Sequence, residues 1–148
     1  MAETNAVTLA QHLVARCDGI TNLKLQKLLY YSQGWYLALN DAQPLFDDRI
    51  EAWVHGPVVP IVFRKYRDFK WSKLPVEAPS SDLPSGVSEH IDEVLSVYGH
   101  LSPWDLERMT HSEDPWKEAR GILPPDVPSN VAIDLESMRR FFARQADA

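Results

Sequence analysis

The stretch from Thr21 to Leu39 constrains the fold more than any other part of this chain. Leu25, Leu28, Leu29, Ser32, Trp35, Tyr36 and Leu39 recur at helical spacing and form a broad apolar stripe, with Lys24 and Lys27 lying off it. Thr21 supplies the side-chain oxygen that an N-cap needs, and Asn40-Asp41 closes the segment. A helix of this length and breadth of stripe must bury itself against several other elements. Gly34 sits inside it at a cost of roughly 1 kcal/mol relative to alanine. The spacing therefore predicts close approach of another element at Gly34.

The flanking segments read as further helices. Val7, Ala10, Leu13, Val14 and Cys17 mark a first helix from about Ala6 to Cys17, ended by Asp18-Gly19, with Gly19 suited to a left-handed backbone. Arg49 to His55 alternates: Ile50, Ala52 and Val54 on one face, Glu51, Trp53 and His55 on the other. Gly56-Pro57 breaks this strand, and Val58 to Phe69 reads as a helix with Pro60 in its first turn. Pro75 to Gly86 lacks periodicity and predicts a surface loop. Val87 to Tyr98 is amphipathic. Ser102-Pro103-Trp104-Asp105 combines an N-cap, a first-turn proline and an acid. Asp114-Pro115 repeats the cap-then-proline pattern for a short helix reaching Arg120, and Leu123 to Asn130 is a proline-rich loop. Asp134 caps a last helix over about 134–146 through Leu135, Met138, Phe141 and Phe142. The expected fold class is mainly α: one compact domain over 1–148, a bundle of about five to seven helices with a small β element.

Composition narrows the function. With 148 residues, 45% of them hydrophobic, the chain suits one domain with one core. A formal net charge of -6 argues against nonspecific binding to nucleic acid and suits solubility or a basic partner. A single cysteine, Cys17, excludes an internal disulfide and a cysteine-based zinc site; it reads as a small buried hydrophobe. Met1 to Arg16 lacks the pattern of a secretory signal, and no apolar run approaches the ~20 residues that cross a bilayer. The expectation is a cytoplasmic chain without membrane contact.

The five histidines, His12, His55, His90, His100 and His111, fall on separate elements without metal-ligand spacing, so neither metal nor cofactor is expected. Cys17 and Ser32 read as buried small residues and not as nucleophiles. Two stretches stand out: Ala52-Trp53-Val54-His55-Gly56-Pro57-Val58-Val59-Pro60, and Thr110-His111-Ser112-Glu113-Asp114-Pro115-Trp116. They read as two halves of a binding surface, or as a shaped turn with Trp53 and Trp116 filling the core.

The same stretches carry a family resemblance. Leu25 to Ala38 (LQKLLYYSQGWYLA) resembles the signature helix of the Panacea antitoxin domain, also called the SocA-like or GepA-like family. Pro44-Leu45-Phe46, Ile50 to Pro60 (IEAWVHGPVVP), Leu101-Ser102 and Thr110 to Trp116 (THSEDPW) resemble its later motifs in order and spacing, over about Ala6 to Arg120. The resemblance implies an antitoxin of a bacterial or phage toxin–antitoxin pair, one that neutralises a cognate toxin by direct protein contact. Delivery of the toxin to a cellular protease is the alternative, followed by a small hydrolase using His55 and His111 with a nearby carboxylate. Some members add a DNA-binding helix-turn-helix domain, for which this chain has no room; direct DNA binding is not expected. The family supplies no catalytic residues. The residues expected to face a partner are Trp53, His55, Gly56, Pro57, His111 and Trp116.

Overall fold

The computed structural model describes residues 2–147. Its centre is α2 (Asn22–Leu39), entered through Thr21, whose side chain accepts from the Lys24 amide. The expected stripe understates its burial: every residue from Leu25 to Gly34 is buried. Lys27, read from periodicity as lying off the apolar side, is fully buried. The helical wheel misplaces it because α2 is covered on all sides and has no solvent face in this stretch.

Six further helices surround it among the described residues. They are α1 (Ala6–Arg16), α3 (Pro60–Lys65), α4 (Val87–Tyr98), α5 (Pro103–His111), α6 (Asp114–Arg120) and α7 (Leu135–Ala146). Local chemistry sets their ends. Asn5 caps α1, Ser102 and Asp105 form a reciprocal capping box on α5, and Asp134 caps α7. Gly19 takes a left-handed φ of 73° after α1. The chain is thus mainly helical, with one small sheet.

That sheet corrects one expectation. Gly56-Pro57 does not simply end a strand; it begins a second one. β1 (Glu51–Trp53) pairs antiparallel with β2 (Gly56–Val58), joined by Val54-His55, with Trp53 opposite Gly56. The helix expected over Val58 to Phe69 starts only at Pro60 and breaks at Tyr66 into a 3-10 turn at Arg67–Phe69. On the other edge of β1, Ala52 N–H donates to Val131 O at 2.8 Å and Ile133 N–H to Ile50 O at 2.8 Å. This return segment covers an edge that would otherwise present unpaired amides.

Helix α7 packs chiefly on α2. The Phe142 ring lies over Gly34 and meets Tyr30, Tyr31 and Trp35 at centroid distances of 5.6, 5.9 and 5.2 Å. A Cβ at Gly34 would stand 2.1 Å from Phe142 Cε2, so the expected close approach is present and is made by an aromatic ring. Adding even one methyl overpacks this contact. Gly34→Ala is therefore expected to lower unfolding free energy by about 1–3 kcal/mol in urea titrations. Phe142→Leu in the same chain should recover part of the loss; strict additivity of the two penalties would show that the ring and the glycine do not oppose each other.

Candidate functional site

The hairpin is where the two prominent sequence stretches meet. Its backbone offers carbonyls that a two-stranded ribbon cannot satisfy internally, and side chains from three helices take them. Trp116 Nε1 donates to Trp53 O at 2.8 Å, and Arg120 Nη1 donates to Ala52 O at 3.0 Å. His111 Nε2 lies 2.8 Å from Val54 O; a carbonyl can only accept, so that nitrogen carries the proton. From α2, Lys27 Nζ donates to Pro57 O at 3.1 Å, and Gln26 Oε1 accepts from Val59 N–H at 2.9 Å. His111 and Trp116 stack at 4.2 Å, and the Arg120 guanidinium lies over the Trp116 ring.

Gly56 is the keystone of this arrangement. Its φ of +108° belongs to a region that favours glycine, and an added Cβ would stand 2.8 Å from both Lys27 Cε and Thr110 Oγ1. Of the six residues singled out from sequence, all converge here, but they divide by exposure. Gly56, Pro57 and Trp116 are buried, Trp53 and His111 are half-buried, and His55 is exposed. His55 Nδ1 sits 3.2 Å from the Glu107 carboxylate. The candidate nucleophiles have internal partners: Ser32 Oγ donates to Leu28 O at 2.7 Å, and the buried Cys17 thiol faces Gly99 O.

Electrostatics at this corner are unusual. Burial pulls the Lys27 ammonium down to about 7, with Glu107 opposing. Burial also pushes the Glu113 carboxyl up to about 7, although Tyr31 and Tyr30 donate to its two oxygens at 2.9 and 3.0 Å and pull it down. Desolvation lowers His111, against its bond to Val54. Glu113 also corrects the expected cap. Helix α6 begins at Asp114, so Asp114 lies in the first turn; Glu113 holds the N-cap position, with no side-chain cap bond. Its carboxylate is drawn inward to the tyrosines instead.

Beside the hairpin lies a cleft of about 510 Å³, lined by residues that include Trp53, Val54, His55, Phe63, Arg67, Lys70 and Trp71. The sequence reading assigned no role to Lys27, Glu113, Arg120, Arg67, Lys70 or Trp71. The polar pair Gln26-Lys27, set between Leu25 and Leu28-Leu29 in α2, was the available signal for the first of these.

Residues 25–117 match the family model described as antitoxin SocA-like, Panacea domain. The chain belongs to this family. The matched segment carries most of α2, the hairpin and the His111–Trp116 stack, so the Panacea motifs coincide with the contacts that hold the hairpin. A similar curated protein, Antitoxin SocA of Caulobacter vibrioides (strain NA1000 / CB15N), is 34% identical over 110 residues, which cover 66% of this chain. The aligned part spans 58% of that protein's length. No solved structure matches the chain. Among the described residues, no helix of this Panacea domain is long and apolar enough to cross a membrane, and no group of three or more His, Cys, Asp or Glu converges to hold a metal ion.

Two outcomes follow from the geometry. Gly56→Val should cost on the order of 1–3 kcal/mol, because a β-branched side chain meets both a disfavoured φ and the Lys27–Thr110 wall; an unchanged melting temperature would contradict this. Glu113 should make stability pH-dependent. Its folded value of about 7 lies above the ordinary 4.5, so the folded state holds more protons between them and stability falls as pH rises through that window. The loss is on the order of 3 kcal/mol. Unfolding free energies at pH 4.5 and 7.5 should differ by that much more in the wild type than in Glu113→Gln, whose amide does not ionise.

Proposed function

We propose that this Panacea domain is an antitoxin that neutralises a cognate protein toxin by binding it. Family membership supports the class, and the similarity to a protein named Antitoxin SocA supports the direction. The observation that carries the binding reading is how the motif side chains are used. Lys27, Gln26, His111, Trp116 and Arg120 direct polar atoms at the hairpin backbone, where they hold a shape and leave little free for chemistry. What the hairpin presents outward is a largely apolar cleft, a surface suited to contact with another protein.

The reading places the chain in the cytoplasm, without direct DNA contact, and assigns partner contact to the exposed side of the hairpin at Trp53 and His55. Gly56, Pro57, His111 and Trp116 support that surface from beneath. The His55–Glu107 pair is the observation that favours a hydrolase as second reading. A His–carboxylate pair orients an imidazole, but acyl transfer also needs a nucleophile or a held water within reach.

Co-expression with the product of the adjacent gene is the direct test. The expected result is a complex that survives gel filtration, with growth restored only when antitoxin is present in at least matching amount. Rescue by trace amounts with no complex would replace binding with catalysis. The toxin's half-life separates two modes: unchanged in a masking complex, shortened if the domain delivers its partner to a protease.

A further inference from the structure

The cleft differs in character from the chain around it. The protein carries a net charge of -6, yet no carboxylate lines the cleft among the described residues, whereas Arg67, Lys70 and His55 do. Arg67 and Lys70 form no ion pair among the described residues. Asp68, between the two cations in sequence, is exposed and does not line the cleft, while Glu51 accepts from Arg49 and from Trp53 Nε1 and Glu107 faces His55. The walls are aromatic. Trp53 meets Phe63 edge-on at 5.0 Å, and Trp71, 65% exposed, meets Trp104, 53% exposed, at 5.5 Å. Two neighbouring tryptophans that keep most of their surface in water form the sort of patch that marks an interaction site. Lys70 itself stands at φ +52°, a backbone region that residues with a side chain rarely adopt.

We propose that this cleft docks a segment of a partner protein that inserts an aromatic or large aliphatic side chain between Trp53, Phe63 and Trp71 and sets carboxylates against Arg67 and Lys70. The inference rests on the antitoxin reading for which protein supplies the segment; the chemistry of the segment follows from the cleft. The aromatic walls provide the apolar burial, and the unpaired cations set the sign of the flanking charge. A single-stranded nucleic acid also combines stacking with negative charge, but it tracks a continuous basic groove. Two cations in a mostly apolar cleft on an acidic protein favour a protein segment.

The test uses the full chain, its Arg67→Glu/Lys70→Glu variant and its Trp71→Ala variant. All three sites are exposed, so melting temperatures should match. Each protein is used to select from a displayed library of random peptides, and each is co-expressed with the adjacent gene product. Wild-type protein should enrich peptides with an aromatic or aliphatic residue beside Asp or Glu. Charge reversal should abolish that enrichment, and both variants should weaken capture of the gene product about tenfold or more. If wild type and variants retain the gene product equally, the cleft is not its docking site and the antitoxin reading stands. If wild type retains nothing, that reading fails, and the peptides alone decide: acidic-apolar enrichment lost on charge reversal upholds the cleft. Enrichment of basic peptides, no enrichment, or tighter binding of an oligothymidine probe than of any selected peptide overturns it.

Discussion

A helix buried on every side imposes a demand that the rest of this structure answers. From Leu25 to Gly34, α2 has no water to satisfy its side chains, and an unpaired buried amide or hydroxyl costs roughly 1–3 kcal/mol. Its polar residues must therefore find partners, and the regular elements packed on it have few backbone groups to spare. Ser32 turns back to Leu28 O within the helix, and the longer side chains reach the turn after α2 and the hairpin. Gln33 donates to Phe46 O at 2.6 Å and accepts from Leu45 N–H at 2.7 Å, fixing the turn that follows α2. Gln26 and Lys27 do the same for the hairpin. The side chains that look least suited to a core helix are those that position the loops around it.

The demand also explains the charge chemistry. A fully buried lysine whose closest bond is to the Pro57 carbonyl is held near the boundary between its charged and neutral forms, and so is Glu113 between its two tyrosines. The two respond to pH in opposite senses. Glu113 loses stability as pH rises toward 7, whereas Lys27, depressed from 10.5, regains it as pH rises above 7. Lys27 belongs to the framework behind the hairpin, and Glu113 ties the start of α6 to the two tyrosines of α2.

Much of this fold is legible in sequence because its helix boundaries are local. Thr21, Ser102, Asp134 and Gly19 act within a few residues of themselves, and the structure places them as their chemistry predicts. The second strand was not legible. Gly56-Pro57 reads as a breaker, and only the positive φ at Gly56 and the long-range grip of Lys27 and His111 make it a hairpin. The depth of Lys27 was equally hidden, because a helical wheel assumes that one side faces water. At the candidate site, the motif residues converge as their grouping suggested. The cleft escaped because Arg67 reads from sequence as part of a helix over Val58 to Phe69, whereas that helix ends at Lys65, and because Lys70 and Trp71 lie just past it in a stretch that carries no pattern.

The ring of Phe142 over Gly34 has a consequence for how the protein comes into being. Leu25 to Gly34 leaves the ribosome early, but the ring that completes its cover is synthesised only after the hairpin, the long loop and four further helices. Contacts between such distant parts of a chain form late and raise the entropic barrier to folding. Until Phe142 emerges, the nascent chain holds an apolar helix with one side open, the kind of surface that chaperones and proteases recognise. Closing the core is thus tied to the last helix to be made, since Gly34 and the rings around it stay uncovered until Phe142 docks.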